Sequence, residues 1–202
     1  MAKFIVLCGI DGAGKSFLLS GFAENPAFEI VSYDKKILKD RLLFFSNLID
    51  NFPFREWKEF NPELKFAYFN LIVLVQTNLI KRAIKKGKNV LCDSYYYKFL
   101  AKKEVLFGEN VNLDLWRKLP KPDFVIFLDV APEIAFERIK DRLHWGEYFK
   151  CPTKKDFVSF QLQVRKNILK EISNVPHIIL DGNRPKRKLK EEFEKLIQNI
   201  CL

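Results

Sequence analysis

Five short runs of almost unbroken apolar residues punctuate the chain: FIVLC at 4–8, FEIVS at 28–32, NVLCD at 89–93, DFVIFLDV at 123–130 and HIIL at 177–180. A strand with one face in water alternates apolar and polar positions, so runs without alternation predict strands covered on both faces, as in a parallel sheet between layers of helices. Between the runs the apolar positions recur with helical period. This predicts helices over 15–24, about 35–50, 62–86, a shorter pair within 95–119, 132–143, 155–173 and 186–200. Pro62 and Pro132 suit a first helical turn, and Gly87 suits a helix stop. Strict alternation of strand and helix predicts an α/β fold, a three-layer, doubly wound, parallel five-stranded sheet with right-handed crossovers. Ligands of such sheets gather at the carboxyl ends of the strands. Two polar-aromatic stretches, EWKEFNPE at 56–63 and HWGEYFKCPTKK at 144–155, predict loops over a site.

Length and composition narrow the picture. A chain of 202 residues predicts one domain over 1–202. Hydrophobic residues at 48% with charged residues at 30% supply a core and exclude disorder as the main state. Lysine and arginine number 35 against 25 acidic residues, a net charge of +10, which favours anionic partners without choosing among phosphorylated small molecules, nucleic acid and a membrane surface. Cys8, Cys92, Cys151 and Cys201 lie far apart with only two histidines in the chain, a pattern that argues against a zinc cluster and fits a reducing, cytoplasmic compartment. Cys8 and Cys92 end apolar runs and read as small buried hydrophobes. The apolar run at the start lasts only from Phe4 to Cys8, which predicts no secretion signal. The oily stretch Phe66 to Ile80 is broken by Asn70, Gln76 and Asn78 and falls short of the ~20 residues a bilayer needs, so it predicts a core helix.

Gly9-Ile10-Asp11-Gly12-Ala13-Gly14-Lys15-Ser16 satisfies G-x-x-x-x-G-K-[ST] between a predicted strand and a predicted helix. The glycines let successive backbone N–H groups face phosphate oxygens, and the helix that follows adds its positive end. Gly9, Asp11, Gly12, Ala13, Gly14, Lys15, Ser16 and Phe17 thus form the expected ATP cradle. Lys15 is the catalytic cation for the β and γ phosphates, and the Ser16 hydroxyl is a ligand for magnesium. Asp11, at the leading edge of the loop, is a second catalytic candidate. The loop holds no arginine, so a guanidinium for the transferring group must come from elsewhere. The chain lacks the N-K-x-D tetrapeptide of guanine-reading switch proteins. Asp93 ends an apolar strand, where it can hold magnesium or cap the next helix; Asp129 better suits a cap for the helix begun by Pro132.

With these motifs the sequence resembles the thymidylate kinases, among the P-loop nucleoside and nucleotide kinases. FIVLCGIDGAGKS resembles the family's opening, NVLCDSYYYK its strand and Asp-Arg-Tyr, and PDFVIFLDVAPEIAFERIKDR its strand and lid-entry helix. FQLQVRKNIL and HIILDGN resemble its late helix and last strand. The resemblance implies a P-loop nucleoside triphosphate hydrolase fold with a lid at about 142–154, and magnesium-dependent transfer of the ATP γ-phosphoryl group to a nucleoside monophosphate, dTMP. It also implies a homodimer, which the oily helix at 66–80 can provide. Arg138 and Arg142, four apart on one helical face, are the implied lid arginines with Lys150; a solvated face shared with Glu137 and Asp141 is the plainer alternative. Asp181-Gly182-Asn183 suits either a turn or a contact with the adenine edge.

Two arginines of the family pattern, which hold the acceptor's phosphate there, are missing. After the second strand stands Tyr33-Asp34-Lys35-Lys36, and after Asp93 stands Ser94. Lys35, Lys36, Arg41 or Lys98 can restore the charge, without arginine's bidentate fork. Asp34, Lys35, Phe66, Tyr95 and Lys98 are therefore the candidate acceptor-binding residues, with Phe66 and Tyr95 as stacking partners for a base. Two alternatives stay open. A deoxynucleoside kinase would use Asp34 or Asp11 to take a hydroxyl proton. A nucleic-acid-binding or end-phosphorylating protein is suggested by the basic run RPKRKLK at 184–190, although such a run more often forms a solvated helical face.

Overall fold

In the computed structural model, which describes residues 1–32, 60–107, 113–142 and 153–202, the five apolar runs form one parallel sheet. Its strands are β1 (Phe4–Cys8), β2 (Phe28–Val31), β3 (Asn89–Asp93), β4 (Phe124–Asp129) and β5 (His177–Asp181), in the order β2-β3-β1-β4-β5. β1 lies at the centre, and β1 and β3 run in a register that sets Leu7 beside Asp93. The loops leaving β1 and β3 therefore open at the same sheet edge, on adjacent strands. Burial explains why the runs do not alternate: every residue of β1, and the inner four of β4, are buried. The edge strands β2 and β5 are less covered: only Val31 of β2 is buried, and Ile178 and Ile179 of β5 are exposed.

The helices are α1 (Lys15–Ser20), α2 (Pro62–Lys85), α3 (Tyr97–Ala101), α4 (Lys103–Phe107), α5 (Asp114–Arg117), α6 (Pro132–Ile139), α7 (Lys154–Ile172) and α8 (Lys186–Cys201). α2 starts as its sequence demands: the Asn61 side chain accepts from the Leu64 N–H at 2.8 Å and Pro62 fills the first turn. It stops before Gly87, which is left-handed at φ 72°. α7 opens with a reciprocal capping box between Thr153 and Asp156.

Three boundaries differ from expectation. α1 ends at Ser20, not 24, because the chain turns at Gly21, whose N–H bonds back to Leu18. The stretch 95–119 holds three short helices among its described residues rather than two, α3 and α4 being separated at Lys102. α6 tightens into a 3₁₀ turn over Lys140–Arg142. The expected helix at 35–50 and most of the expected lid lie outside the described residues, as do Asp34, Lys35, Lys36, Arg41 and Lys150.

Asp129 does not cap α6. The cap is Ala131, with no side-chain bond; its N–H donates to Asn183 Oδ1 at 3.0 Å. Asp129 instead accepts a bidentate pair from Arg165 of α7 at 2.7 and 2.6 Å, a longer-range partner that outcompetes the local one. Beneath α2 the core is aromatic, with Phe66, Phe69, Phe99, Phe107 and Trp116 in mutual contact. One polar side chain stands out on the buried face of α2: both amide atoms of Gln76 are buried and have no hydrogen-bond partner among the described residues.

Candidate active site

The loop between β1 and α1 is shaped by what a side chain would hit. Gly12 is left-handed at φ 78°, and a Cβ there would lie 2.5 Å from the Ala135 carbonyl oxygen, so only glycine lets the loop pack on α6. Gly14 caps α1 at φ 103°, which turns the chain into the helix whose N-terminus faces the loop. Lys15 is buried, and its Nζ donates to the carbonyls of Gly9 and Ile10 at 3.2 and 3.0 Å. It is thus folded across the concavity where phosphates would sit. Burial draws its pKa down, while Asp93 opposes that shift. Ala13 is buried and Ser16 half-buried; Phe17 is exposed, with the Lys186 Nζ 6.0 Å from its ring centroid.

On the adjacent strand the chain makes a strained turn. Ser94 and Tyr95 both have positive φ, 60° and 45°, an unusual conformation for two successive residues bearing a Cβ. The Tyr95 N–H bonds back to the Asp93 carbonyl at 2.6 Å, and the Ser94 N–H bonds to Leu7 of β1 at 3.0 Å. Asp93 is buried; its Oδ1 accepts from Ser94 Oγ at 2.7 Å and its Oδ2 from Ser32 Oγ at 3.5 Å.

α3 leaves this turn and sends Lys98 and Lys102 back to the phosphate loop. Lys98 Nζ lies 2.7 Å from Asp11 Oδ1, and Lys102 Nζ 2.5 Å from Asp11 Oδ2. Gln161 of α7 completes the group: its Oε1 accepts from the Asp11 N–H at 3.2 Å and its Nε2 donates to Asp11 Oδ2 at 2.9 Å. Burial pushes Asp11 up, but Lys102, Lys98 and Lys15 outweigh it and hold the carboxyl well below the usual range. Burial pulls Lys102 down to about 8, against the raising effect of Asp11.

On the far side of the loop Arg138 donates to the Ala13 carbonyl at 3.0 Å and to the Gly182 carbonyl at 2.9 Å. It therefore ties the loop to the turn after β5, and the Gly182 N–H donates to the Asp129 carbonyl at 2.7 Å. Arg142 belongs to the 3₁₀ turn that follows. Of the two expected stacking residues, Tyr95 is inside the core and Phe66 is half-buried against it. Tyr95 is fully buried, its hydroxyl 2.7 Å from Thr77 Oγ1 and its ring edge-on to Phe4. Phe66 lies against Trp116 and Phe107, at 5.4 and 6.0 Å between ring centroids.

Sequence reasoning missed Lys102, Gln161 and Arg165. Only Lys102 had a local signal, its position four residues after Lys98 on a helix. Gln161 and Arg165 lie 150 and 36 residues from their partners, a pairing that no spacing rule encodes.

The donor set suits a magnesium-bound nucleotide. Among the described residues no three histidine, cysteine or acidic side chains gather as a closed metal site. Magnesium held mainly by phosphates and water asks for one or two protein oxygens, and the Ser16 hydroxyl on α1 and the buried Asp93 carboxylate on the neighbouring strand meet that need.

Comparison with known proteins agrees with this geometry. A family model described as thymidylate kinase matches residues 55–193. A probable thymidylate kinase of Archaeoglobus fulgidus is 29% identical, covering 97% of this chain and 95% of the relative. One of Thermococcus kodakarensis is 30% identical, covering 87% and 86%. Among solved structures, a deoxyadenosine kinase from M. mycoides shares the fold at TM-score 0.68 and 16% identity, covering 97% of this chain and 99% of that one. The family match, two near-full-length relatives and a phosphate loop beside an acidic strand end lead to one conclusion: the chain belongs to the thymidylate kinase family.

Proposed function

We propose that this protein transfers the γ-phosphoryl group of ATP to a nucleoside monophosphate, dTMP. An acceptor phosphate oxygen attacks the γ phosphorus as the bond to the β–γ bridging oxygen breaks, giving ADP and a nucleoside diphosphate. Ser16 and Asp93 would hold magnesium, which would supply screening of the phosphate charge. Lys15 swings from the Gly9 and Ile10 carbonyls to the β and γ phosphates, and the loop N–H groups orient them. Arg138 stands beside the loop, where its guanidinium would support the phosphoryl group and fixes the loop edge, and Arg142, next in the same segment, is the second candidate for that charge.

The observation that carries the monophosphate reading is the state of Asp11. A nucleoside acceptor needs a base for its hydroxyl proton, whereas a phosphate dianion needs none. Asp11 is locked between two lysines and held well below the usual carboxylate range, which makes it a poor base. ATP consumption with magnesium should be measured against a panel of nucleosides and monophosphates, with Lys15→Ala as control. Fastest turnover with dTMP, abolished by the substitution, is expected; turnover of nucleosides alone would overturn the reading.

We also propose a cytoplasmic homodimer. No helix among the described residues is long and apolar enough to cross a membrane. Leu64, Leu71 and Leu74 are exposed on α2 at spacings that share one face, a stripe suited to a second copy.

A further inference from the structure

β5 closes the sheet at one edge and, among the described residues, pairs with β4 alone. The bonds at its ends fix which way its backbone faces. The Val125 N–H donates to the Pro176 carbonyl at 2.9 Å, and the Gly182 N–H donates to the Asp129 carbonyl at 2.7 Å. Backbone groups alternate sides along a strand, so Ile178 and Leu180 also face β4. The N–H and C=O groups of His177, Ile179 and Asp181 face the open edge. Proline, lysine and glycine bulges are the usual blocks on such an edge, and HIILD contains none of those residues. The opposite edge strand, β2, is mostly half-buried and carries the charged Glu29. On β5, by contrast, Ile178 and Ile179 point to opposite faces and are 41% and 52% exposed.

We infer that β5 is an interface for a second copy of this chain, the two β5 strands pairing antiparallel about a twofold axis at Ile179. The strand is its own complement. About that axis Ile179 meets its symmetry mate, Ile178 meets Leu180, and His177 meets Asp181. The outward backbone groups match this register. Ile179 with Ile179 and His177 with Asp181 are the pairs whose backbones face the gap, so each exchanges both N–H···O bonds, while Ile178 and Leu180 take the non-hydrogen-bonded position between them. The side chains match as well, because the axis sets a base opposite an acid at each end of the ladder. The His177 Nδ1 donates to the Val175 carbonyl at 2.8 Å, so as an imidazolium the ring offers its Nε2–H to a carboxylate across the gap. Asp181 is exposed; its Oδ1 accepts from the Asn183 N–H at 3.0 Å and its Oδ2 meets Arg184 Nε at 3.4 Å, a long contact that leaves lone pairs for a second donor. A parallel pairing would set His177 against His177 and Asp181 against Asp181. The paired segment ends one residue before Gly182, whose carbonyl accepts from Arg138, so the joined edge braces the turn that holds the phosphate loop. The leucine stripe of α2 is a separate surface, since α2 packs on β2 and β3 at the other end of the sheet.

The test is sedimentation velocity on full-length protein carrying Leu71→Lys and Leu74→Lys, which removes the α2 stripe and leaves β5 as the surface under study. With native β5 this protein is expected to sediment as a dimer. Adding Ile179→Pro should make it a monomer, with the dimer dissociation constant raised about tenfold or more. Proline at 179 deletes an N–H that faces the open edge, so the ladder to β4 stays intact, and an unchanged circular dichroism spectrum checks this. A charge exchange then reads the register. His177→Asp alone sets acid against acid and Asp181→His alone sets base against base, so each should weaken the dimer, whereas the two together should restore it to within about threefold of native β5. An unchanged dimer in Ile179→Pro, or a double exchange no tighter than either single change, would overturn the pairing. A monomer with native β5 would also overturn it and leave the edge to a strand of another protein. If Ile179→Pro fails to fold, the exchange series decides alone.

Discussion

The two halves of the site meet at Asp11 and are built by opposite means. On the ATP side, eight contiguous residues make the cradle, and its shape comes from absent side chains: a Cβ on Gly12 would collide with the Ala135 carbonyl. On the β3 side, the proposed acceptor side, the shape comes from side chains that are present and converge on Asp11 from separate elements: Lys98 of α3, Lys102 at its C-cap, and Gln161 of α7. A phosphate loop satisfies a local backbone demand, so it is compact in sequence. The cluster around Asp11 satisfies a charge balance, which side chains from distant parts of the chain can supply.

That contrast is broken most forcefully on the ATP side. Lys15→Ala removes the mobile cation and should lower kcat by about 100-fold or more, the scale of losing one preorganised electrostatic group. Acceptor binding without ATP should change little, and calorimetry of dTMP checks this; a large loss there would mean that the two halves are not separable. Gly12→Ala comes next. Its left-handed φ of 78° and the 2.5 Å approach to Ala135 force the loop to shift. At ~1–3 kcal/mol of strain the ATP KM should rise about 5- to 100-fold, with dTMP affinity again near the wild-type value. Arg138→Met is milder. It deletes two hydrogen bonds to loop and turn carbonyls, and a severalfold higher ATP KM, measured at saturating acceptor, is expected.

The difference between the halves also explains what the sequence made legible. β1, β3 and β4 were readable because burial on both faces writes itself as unbroken apolar runs, the edge strands β2 and β5 because their apolar runs are short and β-branched, and Lys15 and Ser16 because the loop motif is contiguous. Asp93 was readable as a strand end. Lys102 was hidden among the many lysines of a basic chain, and nothing local separates a buried lysine from a solvated one. Asp129 shows the same limit: its neighbours suggest a cap, yet Arg165 on α7 takes it in a bidentate pair. Tyr95 looked available for stacking, but the strained turn at Ser94 and Tyr95 drives its ring into the core against Phe4 and its hydroxyl onto Thr77.

The smallest expected effect concerns Gln76, one residue before Thr77 on α2, whose buried amide has no hydrogen-bond partner among the described residues. An unpaired buried amide costs on the order of 1–3 kcal/mol, and replacing it by an apolar group of similar size removes that cost. Gln76→Leu should therefore stabilise the protein by about 1 kcal/mol, raising the melting temperature by roughly 2–4 °C for a chain of this length. The sign separates two roles. Higher stability with an unchanged dTMP KM makes Gln76 a packing compromise on the acceptor side. Higher stability with a raised dTMP KM would show that the buried face of α2 tolerates an unpaired amide because acceptor binding satisfies it. Lower stability would mean that the amide already has a partner, and that the buried face of α2 is better satisfied than its hydrogen bonds suggest.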